Sequence, residues 1–175
     1  RLGAETPRGV LLLSLDTVRG DALDKMPRLQ ARLQSATVFS KARATSSWTL
    51  PSMATVHTGL AYPAHGAGQP VHSGAVVVHT GLDPDKPVLA EDLAERGFIT
   101  AAVTTNPFNG QRYGFHRGFD RFVDLSRHSL RRHALRRASL ARVVVPALSD
   151  RGDFVTEQVL EWLPLAAEGR FFLWA

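Results

Sequence analysis

Between Val10 and Leu15 the chain reads Val-Leu-Leu-Leu-Ser-Leu, and this apolar run stops at Asp16-Thr17. A run this short and continuous, entered through Gly9, suits a strand covered on both faces. Gly9 to Asp16 is therefore expected to be a central strand of a parallel sheet. Such sheets bind ligands at the carboxyl ends of their strands, so a carboxylate at that end is a candidate site residue. The second candidate stands in Ser46-Ser47-Trp48-Thr49-Leu50-Pro51-Ser52-Met53, which closes with Thr58-Gly59-Leu60. There a hydroxyl, Thr49, precedes a helix start marked by proline.

The rest of the chain alternates strands and helices. Pro27 to Leu33 reads as a short helix with proline in its first turn, Thr37 to Arg43 as a second strand, and Pro51 to Gly59 as a helix stopped by glycine. Ala61 to Lys86, rich in Gly, Pro and His, is expected to be a surface loop near the site. Val88 to Arg96 is expected to be helical, Phe98 to Thr104 a strand, and Asn106 to Asp124 an ordered aromatic, Gly-rich loop. Leu130, Ala134, Ala138, Ala141 and Val145 recur at helical spacing up to Pro146. Val155, Val159 and Leu163 mark one more helix, and Phe171 to Trp174 a buried strand. This order predicts an α/β fold with a mostly parallel central sheet flanked by helices. Because the chain stops inside an apparent core strand, it is expected to be truncated.

Charge and composition exclude several classes. The 175 residues include no cysteine, so disulfides, thiolate zinc sites and a cysteine nucleophile are out. No apolar run approaches the roughly 20 residues that span a bilayer. Arg1 in place of an initiator Met leaves an upstream leader open. The net charge of +5 comes from one stretch, Arg127 to Arg142. A solvated helix face is the simpler reading of that stretch. Contact with a membrane surface or an acidic substrate is its functional alternative, and with neither interleaved aromatics nor a helix-turn-helix or zinc signature, nucleic acid is not expected.

Leu13-Ser14-Leu15-Asp16-Thr17-Val18-Arg19-Gly20-Asp21 and Ser47-Trp48-Thr49-Leu50-Pro51-Ser52 resemble the N-terminal signatures of the sulfatase branch of the alkaline phosphatase superfamily. Tyr62-Pro63-Ala64-His65-Gly66 is similar to that branch's turn after the nucleophile helix. So are Leu89 to Phe98, Asn106-Pro107-Phe108, Gly114 to Asp120, and the segment from Val155 to Leu173. The resemblance implies an alkaline phosphatase-like fold, with residues 1–175 as the N-terminal part of one catalytic domain. It implies a hydrolase or transferase of sulfate or phosphate esters, on small-molecule, lipid or glycan substrates. Asp16 and Thr49 take the positions of a metal ligand and of a metal-touching nucleophile. Oxygen ligands suit Ca²⁺, Mn²⁺ or Mg²⁺, with Zn²⁺ a further candidate if a histidine joins. A divalent cation is also what a threonine hydroxyl needs to attack at neutral pH. The remaining ligands of such proteins lie further downstream, so the chain is expected to bind metal weakly and to have little activity alone. A periplasmic, extracellular or membrane-associated location is the expectation for a bacterial member.

Two departures stand out. Sulfatases proper carry Cys or Ser at the nucleophile position and Arg four residues on, where this chain has Thr49 and Met53. Thr17 replaces a second aspartate. The Thr nucleophile resembles the phosphodiesterases and phosphoglycerol transferases of the superfamily, Thr17 favours a different metal arrangement, and both departures shift the expectation toward phosphate esters. Met53 and Thr17 also favour the second reading, a non-catalytic or truncated relative that keeps the fold as an anion-binding module. Taken singly, Asp16 reads more simply as a strand-end cap and Thr49 as a helix N-cap. Arg19 and Asp21 read as a loop ion pair, and His65, His72 and His79 as solvated loop residues. Asn106 reads equally as a substrate contact or as a turn residue before Pro107.

Overall fold

A computed structural model describes residues 8–126, 151–166 and 169–175. The arginine-rich stretch from 127 to 142, with its expected helix, lies outside the described residues. Six strands and four helices are described, in the order β1 (Gly9–Leu12), α1 (Pro27–Leu33), α2 (Thr49–Thr58), β2 (Pro70–Ser73), β3 (Val76–His79), α3 (Leu89–Glu95), β4 (Phe98–Thr104), β5 (Arg121–Asp124), α4 (Arg151–Ala166) and β6 (Arg170–Trp174). Among the described residues the main sheet has four parallel strands in the order β1-β6-β4-β5. Parallel pairing sends every carboxyl end to one edge. That edge receives Asp16 just past β1, Asn106 just past β4 and Asp124 at the end of β5.

The pleat of β4 and β6 divides the core. Phe98 and Ala102 with Phe172 and Trp174 face one side, where they meet Leu50 and Ala54 of α2 and Ala90 of α3. Ala101, Val103 and Leu173 face the other side, against Trp162 of α4. β4 and β6 are thus the doubly covered strands. β1 is not, although the sequence predicted it to be central. Among the described residues it pairs with β6 alone, and Val10 and Leu11 are 39% and 44% exposed. An apolar run specifies a strand, but its place in the sheet depends on which strands pair with it.

Three other expectations change. Residues 37–43 form no strand, and Val38 and Phe39 stand exposed. Ala61 to Lys86 is not a plain loop, because β2 and β3 pair in it as an antiparallel hairpin turning at Gly74, with φ +61°. The loop from Asn106 to Asp124 contains two short 3-10 turns and strand β5. α2 ends as predicted, with Gly59 at φ +68° and its N–H donating to the Thr55 carbonyl.

Candidate active site

Three chain segments meet at the carboxyl edge of the sheet. Asp16 follows β1 and is exposed. The next residue, Thr17, has φ +60°, an uncommon conformation for a β-branched residue, so the chain turns sharply as it leaves the carboxylate. Thr49 is the first residue of α2 and donates its hydroxyl hydrogen to Asp16, with Oγ1 3.1 Å from Oδ2 and 3.3 Å from Oδ1. The N-cap position belongs to Trp48, so Thr49 is not the N-cap expected of it when taken alone.

Trp48 anchors this helix start. Its ring sits edge-on to His79 of β3 at 4.8 Å and to Phe108 at 5.4 Å, which ties α2 to the hairpin and to the turn after β4. That turn carries Asn106. The Asn106 amide oxygen accepts the Phe108 N–H at 2.9 Å, which fixes the side chain and turns its Nδ2 toward Asp16. Nδ2 donates to Asp16 Oδ2 and lies 3.5 Å from Thr49 Oγ1. Asn106 therefore acts both as a turn residue and as a member of the site.

An open cleft of about 340 Å³ adjoins this group. Asp16 and Asn106 belong to both, whereas Thr49 is not among the residues lining the cleft. Ser14, Thr104 and Asn109 add polar groups to its wall, and Leu15, Val18, Val103 and Val155 make it largely apolar. Trp174 also lines it and donates its indole N–H to Ser14 Oγ at 3.0 Å.

The remaining candidates fall away from this point. Arg19 and Asp21 form the expected loop ion pair at 2.7 Å, exposed on both sides; the hydrogen bond between them raises the arginine's pKa and lowers the aspartate's. His72 is exposed on β2. His65 is buried rather than solvated: its Nδ1 accepts the Ala67 N–H at 3.1 Å, and burial lowers its pKa. Sequence reasoning passed over Asn109, which a 3-10 turn places three residues beyond Asn106 on the same wall. The available signal was that spacing, directly after an apolar strand.

The oxygens of Asp16 and Thr49 make a hard donor pair, whereas the Asn106 oxygen is engaged by the Phe108 N–H and its Nδ2 only orients Asp16. Among the described residues no Lys, Arg or His pairs with Asp16, and its negative charge meets only a neutral hydroxyl and a neutral amide. This arrangement fits a hard divalent cation. Among the described residues no three His, Cys, Asp or Glu side chains come together, so the cage is partial. A family model described as Sulfatase matches residues 14–175, which include Asp16, Thr49, Asn106 and Asn109. No curated protein and no solved structure gave a match.

Proposed function

The chain belongs to the sulfatase family, whose members are hydrolases of sulfate esters, and from that premise we propose that Thr49 is the nucleophile of a metal-assisted ester hydrolase or transferase. The observation that carries the proposal is the contact of the Thr49 hydroxyl with Asp16 at 3.1 Å, formed across the sheet edge and joined by Asn106. Asp16 and Thr49 would hold a divalent cation, which when bound neutralises charge on the ester oxygens and lowers the pKa of the hydroxyl.

The chain's own groups account for the rest. Thr49 Oγ1 forms a bond to the sulfur or phosphorus of the ester, and the bond from that atom to the alcohol oxygen breaks. Asp16, already accepting the hydroxyl hydrogen, takes the proton, while the departing alcohol oxygen gains one from water. Water then displaces the group from Thr49, and the threonine oxygen is reprotonated. Asn106 positions Asp16 throughout through its amide N–H. Thr49 in place of Cys or Ser, and Met53 in place of Arg, support phosphate esters beside sulfate esters as substrates.

Incubation with an activated phosphodiester or aryl sulfate, followed by peptide mass spectrometry, tests the proposal. The expected result is a phosphorylated or sulfated Thr49. Thr49→Ala should abolish the adduct and lower any turnover by at least about 10³-fold. An adduct elsewhere, or turnover unchanged in Thr49→Ala, would overturn the assignment.

A further inference from the structure

Between Leu15 and Val18 the chain is tethered at one point. Ser14, just before, is fixed to the end of β6: its N–H donates to the Ala175 carbonyl at 2.8 Å, and its Oγ accepts the Trp174 indole N–H. Arg19, just after, starts a new run of local contacts, with its ion pair to Asp21 and its carbonyl accepting the Ala22 N–H. The four residues in between stand exposed, and no backbone bond joins Leu15 to Val18 to close the turn. Among the described residues, their hydrogen bonds are those of the Asp16 carboxylate alone, which accepts from Thr49 and from Asn106.

Thr17 makes this arrangement costly. It is the one non-glycine residue with positive φ among the described residues, at +60°. A left-handed backbone presses the β-carbon toward the following carbonyl, and the two branches on that carbon add to the crowding. Asn and Asp offset this cost with a local side-chain hydrogen bond, and Gly avoids it. The Thr17 N–H and hydroxyl have no partner among the described residues. Neither the turn nor its packing offsets the strain, so the carboxylate's bonds across the sheet edge are what remains to hold it.

We infer that Thr17 is a positioning residue: the bonds of Asp16 to Thr49 and Asn106 hold its backbone left-handed, and on their release the turn relaxes to negative φ and carries the carboxylate away from Thr49. Strain in the turn and assembly of the site are then one equilibrium, and residue 17 sets where it lies. A residue that accepts positive φ favours the assembled site, and one that refuses it favours the withdrawn carboxylate. The consequence for the reaction rests on the reading of Thr49 as the nucleophile. The coupling of turn to carboxylate does not.

Thermal melts of Thr17→Asn, made in the wild type and in Asp16→Ala, read the coupling. Asn keeps φ positive at lower strain, so the wild type should gain about 2–4 °C. In Asp16→Ala, where the turn is already free to relax, the same substitution should gain less than half as much. A turn that is strained for reasons of its own would gain equally in both. Thr17→Pro fixes φ at roughly −65° and removes an N–H that has no partner among the described residues. It should fold, and should form the Thr49 adduct with an activated phosphodiester about 10²-fold more slowly than Thr17→Asn, the cost of a misplaced reacting group. Equal gains in the two backgrounds, no gain in the wild type, a Thr17→Pro chain that does not fold, or one that forms the adduct at the Thr17→Asn rate would each overturn the inference. A wild type that forms no adduct removes the reading of Thr49 as nucleophile, and the melts alone then decide whether the carboxylate holds the turn.

Discussion

Asp16 and Thr49 are 33 positions apart in the chain and Asp16 and Asn106 are 90 apart, yet their side chains share hydrogen bonds. Each is held by its own local device: a strained threonine after the aspartate, the wedged ring of Trp48 before the threonine, and a turn that occupies the asparagine oxygen. One residue beneath the site has a consequence for stability. His57, on α2, is 1% exposed, lies 4.2 Å from the Trp174 ring and 5.5 Å from Phe115, and neither ring nitrogen has a partner. Burial pushes its pKa down from the ordinary 6.5 to about 4. The unfolded chain therefore binds the proton more readily between those values, and falling pH favours unfolding. Stability should be intact above pH 6.5 and decline as the pH drops toward 4, by about 3 kcal/mol from this group. Denaturant titrations at several pH values should show that decline in the wild type and a flatter profile in His57→Leu. Equal slopes would mean that another group dominates.

At the level of elements, α2 ends at a glycine, and Gly59 there and Gly118 in the loop before β5 are constrained for different reasons. Gly59, at the end of α2, has φ +68°, and a Cβ built there meets nothing within 4 Å. Gly59→Ala should cost only the left-handed backbone penalty, about 1 kcal/mol. Gly118, at φ +74°, is pressed against α3, where a Cβ would collide with the backbone of Ala90 and Glu91. Gly118→Ala should be markedly worse, because two backbones would have to separate. Thermal melts of the two variants check the order, and a Gly59 variant that melts lower than the Gly118 variant would contradict it. The same corner is tied by Arg117, which donates to both Glu91 carboxylate oxygens and to the carbonyls of Asp83 and Lys86. α3 is thereby joined to the chain on either side of it, and β4, which leads to Asn106, enters the sheet from a fixed origin.

At the scale of the whole molecule, the parallel sheet gathers one edge of oxygen and amide donors, and an apolar cleft runs beside it. Among the described residues the sheet's other flank is β1, whose apolar side chains are partly exposed. The metal-donor oxygens described at the edge are those of one carboxylate and one hydroxyl, fewer than the six to eight oxygens a calcium site uses. Isothermal titration of the chain with Mn²⁺ or Ca²⁺ should therefore show binding no tighter than about 0.1 mM. Tight one-site binding would mean that further ligands are in place.

The chain's local chemistry determined a great deal without any tertiary information. Apolar runs bounded by Gly and Pro specified β4, β6, α1, α2 and α3 nearly to the residue, because period and punctuation are properties of neighbouring residues. Asp16 and Thr49 were picked out as candidates because each stands at an element boundary within the family resemblance, and the structure brings their side chains together. What the sequence left open is what depends on distant partners. It did not reveal that among the described residues β1 pairs with β6 alone, that residues 37–43 form no strand, or that Val71 and Val77 lie in a hairpin. Nor did it reveal that Asn106 joins Asp16, or that the Asn109 Oδ1 is buried without a hydrogen-bond partner. Those were decided by pairing and packing across tens of residues, since a strand's place and an amide's hydrogen bonds are fixed only by what folding brings beside them.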